Sequence, residues 1–71
     1  MTAELIKLRN IKNLTQKQVA ERAYVTIRAY QNYEYGKRKP VVDIALNIAE
    51  VLGIVTLEDF RKLFLTKKGA I

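Results

Sequence analysis

The chain has 71 residues, a formal net charge of +6, and neither cysteine nor histidine. This length carries one apolar core, which holds the fold without disulfides. The missing residue types remove the commonest general base, the commonest metal ligand and the thiolate nucleophile. The chain therefore reads as a non-enzyme with no cofactor and no metal site.

Cysteine usage gives no sign of an oxidising compartment, so a cytoplasmic location is expected. Met1-Thr2-Ala3-Glu4 places an acid where a secretory leader would be basic. The apolar run from Val41 to Val55 is broken by Asp43, Asn47 and Glu50, short of a bilayer crossing. A soluble protein with no membrane partner is expected.

Apolar spacing is helical throughout, with no alternating strand pattern. Leu5, Leu8 and Ile11, with Ile6 beside them, predict a first helix capped by Thr2 and ending near Lys12-Asn13. Thr15-Gln16-Lys17-Gln18 reads as a capping box that starts a short second helix with Val19, Ala20 and Ala23 on one face. Thr26 caps a third helix that stops at Gly36. Pro40 blocks backward extension of a fourth helix from Val42 to Leu52, apolar on most sides and so expected at the centre, with Gly53 ending it. Thr56 and Asp59 mark the start of a fifth helix bearing Leu57, Phe60, Leu63 and Phe64. The expectation is a compact all-α, five-helix bundle forming a single domain over residues 1–65, with a flexible tail over 66–71.

Charge is unevenly spread. Residues 1–39 hold nine basic side chains against three acidic, whereas residues 40–71 hold four of each. The whole excess lies in the first half, as expected when one side of a protein faces a polyanion; a solvated basic face is the plainer reading. Glu58 and Asp59 are adjacent, so they point apart on a helix and suit its first turn better than paired-carboxylate chemistry. Gly36-Lys37 lacks the other residues of a phosphate-binding loop. Arg61-Lys62-Leu63-Phe64 is short for a membrane-surface segment, and core packing is the expected use of its apolar residues.

Two short helices joined through Tyr24-Val25-Thr26 suggest a helix-turn-helix, which needs small inner residues such as Ala20 and Ala23. On the second of these helices Ala29, Tyr30 and Tyr33 share one side, and Ile27, Arg28, Gln31, Asn32 and Tyr35 the other. Arginine pairs bidentately with guanine, and glutamine or asparagine with adenine, so this face has base-reading chemistry. The same residues also suit an ordinary solvated helix face.

A longer pattern runs through Leu5, Leu8-Arg9, Leu14-Thr15-Gln16, Val19-Ala20, Val25-Thr26, Tyr33-Glu34, Gly36-Lys37-Arg38, Pro40, Ile48-Ala49 and Leu52-Gly53. It resembles the family of phage repressors and Cro proteins (XRE-like) over roughly residues 4–60. The resemblance implies a lambda-repressor-like domain of five helices that binds double-stranded DNA operators as a dimer and regulates transcription. It assigns base reading to Arg28, Gln31 and Asn32, with Ile27 opening the reading helix. Phosphate contact falls to Gln16, with Lys17 and Thr26, and to the loop residues Lys37, Arg38 and Lys39. Arg9 and Glu34 correspond to an ion pair between the first and third helices.

Departures from the family pattern point to a second reading. Ile27 makes only apolar contacts, for instance with a thymine methyl, where a polar base-reader is common. Tyr24 stands at a turn position often held by glycine, and Tyr35 replaces a small polar residue before Gly36. Ile54-Val55 makes the junction into the fifth helix one residue longer. Apolar and aromatic surface around the reading helix fits a protein partner, so the alternative is an antirepressor or modulator that controls another repressor protein. For a DNA-binding dimer the neutral half supplies the interface, with Ile54, Val55, Leu57, Phe60 and Phe64 as candidates. For Leu57 and Phe60 closure of the monomer core is the expected use.

Overall fold

The computed structural model describes residues 2–64, with side chains from Glu4 onward. Those residues form α1 (Thr2–Ile11), α2 (Gln16–Arg22), α3 (Ile27–Glu34), α4 (Val42–Leu52) and α5 (Leu57–Phe64), with no strand among them. The expected tail, 66–71, and any cap made by the Thr2 side chain lie outside the described residues; α1 begins at Thr2 itself.

Local chemistry sets most boundaries. The Thr15 hydroxyl accepts from the Gln18 amide at 3.0 Å, and the Gln18 carboxamide accepts from the Thr15 amide at 2.9 Å, completing the capping box of α2. Thr26 and Thr56 accept from the amides of Ala29 and Asp59, each at 3.1 Å, which starts α3 and α5. Gly36 and Gly53 follow α3 and α4 with φ of 78° and 77°, the left-handed region in which a Cβ is costly.

The core forms where α2 packs on α3 and α4, and α1 on α3 and α5. Val19, Ala20 and Ala23 are fully buried at the end of α2, Tyr30 is buried on α3, and Ala45, Ile48, Ala49 and Leu52 face inward from α4. The small side chains of α2 let α3 approach closely. Asn47 adds a polar tie here, its Nδ2 donating to the Ala23 carbonyl at 3.2 Å as α2 ends. That carbonyl is one of those a helix end leaves without an internal partner.

Several apolar residues fall elsewhere than their periodicity predicts. Ile11 is exposed at the last turn of α1, beyond the reach of α3. α4 is not buried all round: Val42 and Leu46 face out from its first half, because neighbouring helices cover a single stripe. Leu57, expected to close the core, is 73% exposed, since α5 begins there and packs through its far end. Phe64, a dimer candidate, is instead buried in the monomer with Leu63. Phe60 packs on Phe64 with ring centroids 5.0 Å apart, tilted by 49°.

One ion pair ties α1 to α3. The Arg9 Nε donates to Glu34 Oε2, and its Nη2 to Oε1 at 3.3 Å. Nη1 reaches the Leu14 carbonyl at 3.0 Å. Glu34 is only 1% exposed, so this carboxylate depends on its donors. Burial would raise its pKa; hydrogen bonds from Arg9 and Gln16 and the arginine charge more than offset that, holding the carboxyl below its usual value.

Arg9→Ala or Glu34→Ala is expected to lower stability by about 2–4 kcal/mol, because each leaves a buried polar partner unmatched. The double substitution should cost less than the sum, checked by a thermal double-mutant cycle. Because folding lowers the Glu34 pKa, the carboxylate's contribution is complete above the ordinary value of 4.5 and fades as pH falls below it through the folded value. Melts across the acid range should show a smaller loss in Glu34→Gln than in the native chain.

Candidate nucleic-acid interface

α3 is anchored at its back by Tyr30 and Glu34, the two side chains it buries. Rotation by the helical period sends Arg28 to the exposed surface, with Gln31 and Asn32 half-buried, while Ile27, one turn before Tyr30, is exposed where the helix begins. Tyr33 and Ala29 are half-buried, and Tyr35 is exposed as the helix ends. Of the residues expected on the inner side only Tyr30 is fully buried; Ala29 and Tyr33 are half-buried like Gln31 and Asn32, and Glu34 joins Tyr30 inside.

The Tyr30 hydroxyl makes no well-formed hydrogen bond among the described residues. Burial, reinforced by the neighbouring Glu34 carboxylate, pushes its ionisation far up, so the phenol stays neutral. A neutral ring here keeps Arg9 as the counter-charge to Glu34.

The ion pair extends outward through two amides. Gln16 Nε2 donates to Glu34 Oε1 at 2.8 Å, and Gln16 Oε1 accepts from Gln31 Nε2 at 3.1 Å. A chain of contacts therefore runs from Arg9 in α1 through Glu34 in α3 and Gln16 in α2 to Gln31 on the outer side of α3. Gln31 has one of its two amide N–H donors committed to Gln16, leaving the second N–H and the carbonyl oxygen without a partner among the described bonds. This chain was not evident from sequence reading, which treated Gln16 and Gln31 as independent contacts. Only half of the signal is local: Gln31 lies one turn before Glu34 on α3, whereas Gln16 opens the adjoining helix and meets Glu34 through tertiary packing.

The basic loop is tethered to the same helix. The amides of Lys37 and Arg38 both donate to the Asn32 carbonyl, at 2.9 and 3.3 Å, while Gly36 takes the left-handed conformation. This leaves Lys37, Arg38 and Lys39 exposed directly after α3. Lys17 is exposed in the first turn of α2, and Thr26 at the start of α3. The structure so gathers two of the expected groups, the α3 face and the loop, on one rigid piece of backbone. The candidates Ile54, half-buried, and Val55, exposed, stand in the α4–α5 connection and belong to a separate surface.

Tyr24 has φ of 64° in the turn, and its side chain is 83% exposed. A left-handed residue with a Cβ costs about 1–2 kcal/mol, and here no burial of the ring offsets it. Tyr24→Gly is expected to raise stability by about 1 kcal/mol, seen as a melting temperature several degrees higher.

Residues 5–60 match the family described as Helix-turn-helix, more than three-quarters of the chain. No curated protein and no solved structure matches the chain. The matched span runs from Leu5 in α1 to Phe60 in α5 and includes the whole α2–turn–α3 unit. The chain belongs to the helix-turn-helix family of the repressor and Cro type, a family of DNA-binding regulators.

Proposed function

We propose that the protein is a sequence-specific repressor or Cro-like transcription regulator that inserts α3 into the major groove of double-stranded DNA. The observation that carries this reading is the coupling of a polar helix face to a cationic loop: the half-buried Asn32 on that face holds Lys37 and Arg38 through its backbone carbonyl. In this reading Arg28, Gln31 and Asn32 contact base edges and Ile27 packs on a thymine methyl. Gln16, Lys17, Thr26, Lys37, Arg38 and Lys39 contact phosphates, which set register and orientation. Gln31 reads through its carbonyl oxygen and its second N–H, while Gln16 holds the carboxamide through the first. The protein acts in the cytoplasm, with its DNA.

A near-palindromic operator needs two reading helices about 34 Å apart, which a symmetric dimer supplies. Val55 and Leu57, 88% and 73% exposed, support a weak homodimer through the α4–α5 connection, with Ile54 and Phe60 at its edge. The exposure of Tyr24, Ile27 and Tyr35 favours a second reading, in which this surface binds and controls another repressor protein.

Arg28→Ala is expected to lose about 1–3 kcal/mol on the preferred site and to relax choice at one base pair. Lys37→Ala and Arg38→Ala should weaken all duplexes alike and flatten the salt dependence by about one unit each. Selection from random duplexes followed by binding isotherms over a salt series checks both, and identical losses for all three would refute the base-reading role. Sedimentation at several concentrations should show self-association that Leu57→Glu abolishes without unfolding the chain. A strict monomer that binds no duplex at low salt but associates with a second repressor would favour the alternative.

A further inference from the structure

A groove of about 80 Å³ opens beside the basic loop, away from the α3 reading face. Leu5, Leu63 and Phe64 form its floor, Tyr33 and Pro40 its walls, and Arg38 stands at its mouth. The three floor residues belong to the buried core, so the groove is a fixed feature of the packing. Its volume is below the roughly 150 Å³ of a cavity that takes benzene, and suits one aliphatic side chain.

DNA accounts for the cations here but not for the apolar floor, since a phosphate backbone has no apolar group to place in it. An occupant that uses both features carries negative charge and a compact apolar group together. The excess charge of +6 lies wholly within residues 1–39, and the groove mouth is at the end of that stretch. We propose that this groove docks an acidic segment of a partner protein, with one leucine-sized side chain on the Leu5–Leu63–Phe64 floor and flanking carboxylates on Arg38, Lys39 adding to the field. Arginine favours carboxylates through its paired donors. Bound there, the segment withdraws Arg38 from phosphate, so partner and DNA each weaken the other's binding. That antagonism rests on the phosphate role of Arg38 proposed above; the docking itself does not.

The test is an amide NMR titration of the full 71-residue chain. Its probe is the synthetic peptide acetyl-Glu-Asp-Leu-Glu-Asp-amide. Two control peptides replace the leucine by serine, or the four acids by their amides. Shifts are expected at Leu5, Tyr33, Arg38, Leu63 and Phe64, with each control about tenfold weaker and Arg38→Gln reducing affinity by about the same factor. Added duplex DNA should displace the peptide. The docking is overturned if no shifts appear, if they fall on another surface, or if the serine control binds equally well. It is also overturned if the free chain shows contacts from its own residues 65–71 inside the groove. If Arg38→Gln loses the peptide yet binds duplex normally, the docking stands and the phosphate assignment of Arg38 fails. If Arg38→Gln loses duplex yet keeps the peptide, the docking fails alone.

Discussion

The carboxylate of Glu34 sits inside the protein with almost no access to water, and the arrangement of the first three helices follows from what must surround it. A buried carboxylate is tolerable only with a counter-charge and donors for its lone pairs. Arg9 supplies the charge from α1 and Gln16 supplies a second donor from α2. Each contact selects one relative placement of two helices. Apolar packing alone, being non-directional, leaves small rotations of α3 nearly equal in energy. The polar cluster makes them unequal, because a rotated α3 strands Glu34.

That directional constraint reaches the surface. Gln16 receives Gln31 on its other side, so a residue on the outer half of α3 is oriented by an ion pair on the inner half. Base recognition by hydrogen bonds depends on side chains held close to their working geometry before DNA arrives. For Gln31 the support is visible as a series of bonds, and for Arg28 it is absent among the described residues, where the guanidinium is exposed. The two proposed readers thus differ physically: one is prearranged and the other orders on contact, with a greater loss of side-chain freedom.

The molecule also places cations and exposed apolar groups side by side. Cations of the loop are tied to the backbone of α3 itself through the Asn32 carbonyl. Large apolar residues are exposed at Val55 and Leu57 in the α4–α5 connection, at Val42 and Leu46 on α4, at Val41 just after the loop, and at Ile27 and Tyr35 at the two ends of α3. Tyr24 adds an exposed ring in a strained turn.

How much of this was legible in the sequence depends on the range of the forces involved. The caps at Thr15, Thr26 and Thr56 and the stops at Gly36 and Gly53 act within a few residues, so the sequence by itself determined the number, order and type of the helices. Helical periodicity likewise assigned Tyr30 inward and Arg28 outward, since both lie on one element whose period is known. Long-range contacts were different. The family pattern paired Arg9 with Glu34, but the relay through Gln16 to Gln31 and the Asn47 bond to Ala23 depend on how three helices meet in space. Leu57 and Phe64 make the same point: both are apolar and on one helix, yet one faces water and the other fills the core. Hydrophobicity states that a side chain prefers burial. Only the tertiary structure decides which apolar groups find a neighbour, because a short bundle has more apolar surface than its few helices can cover.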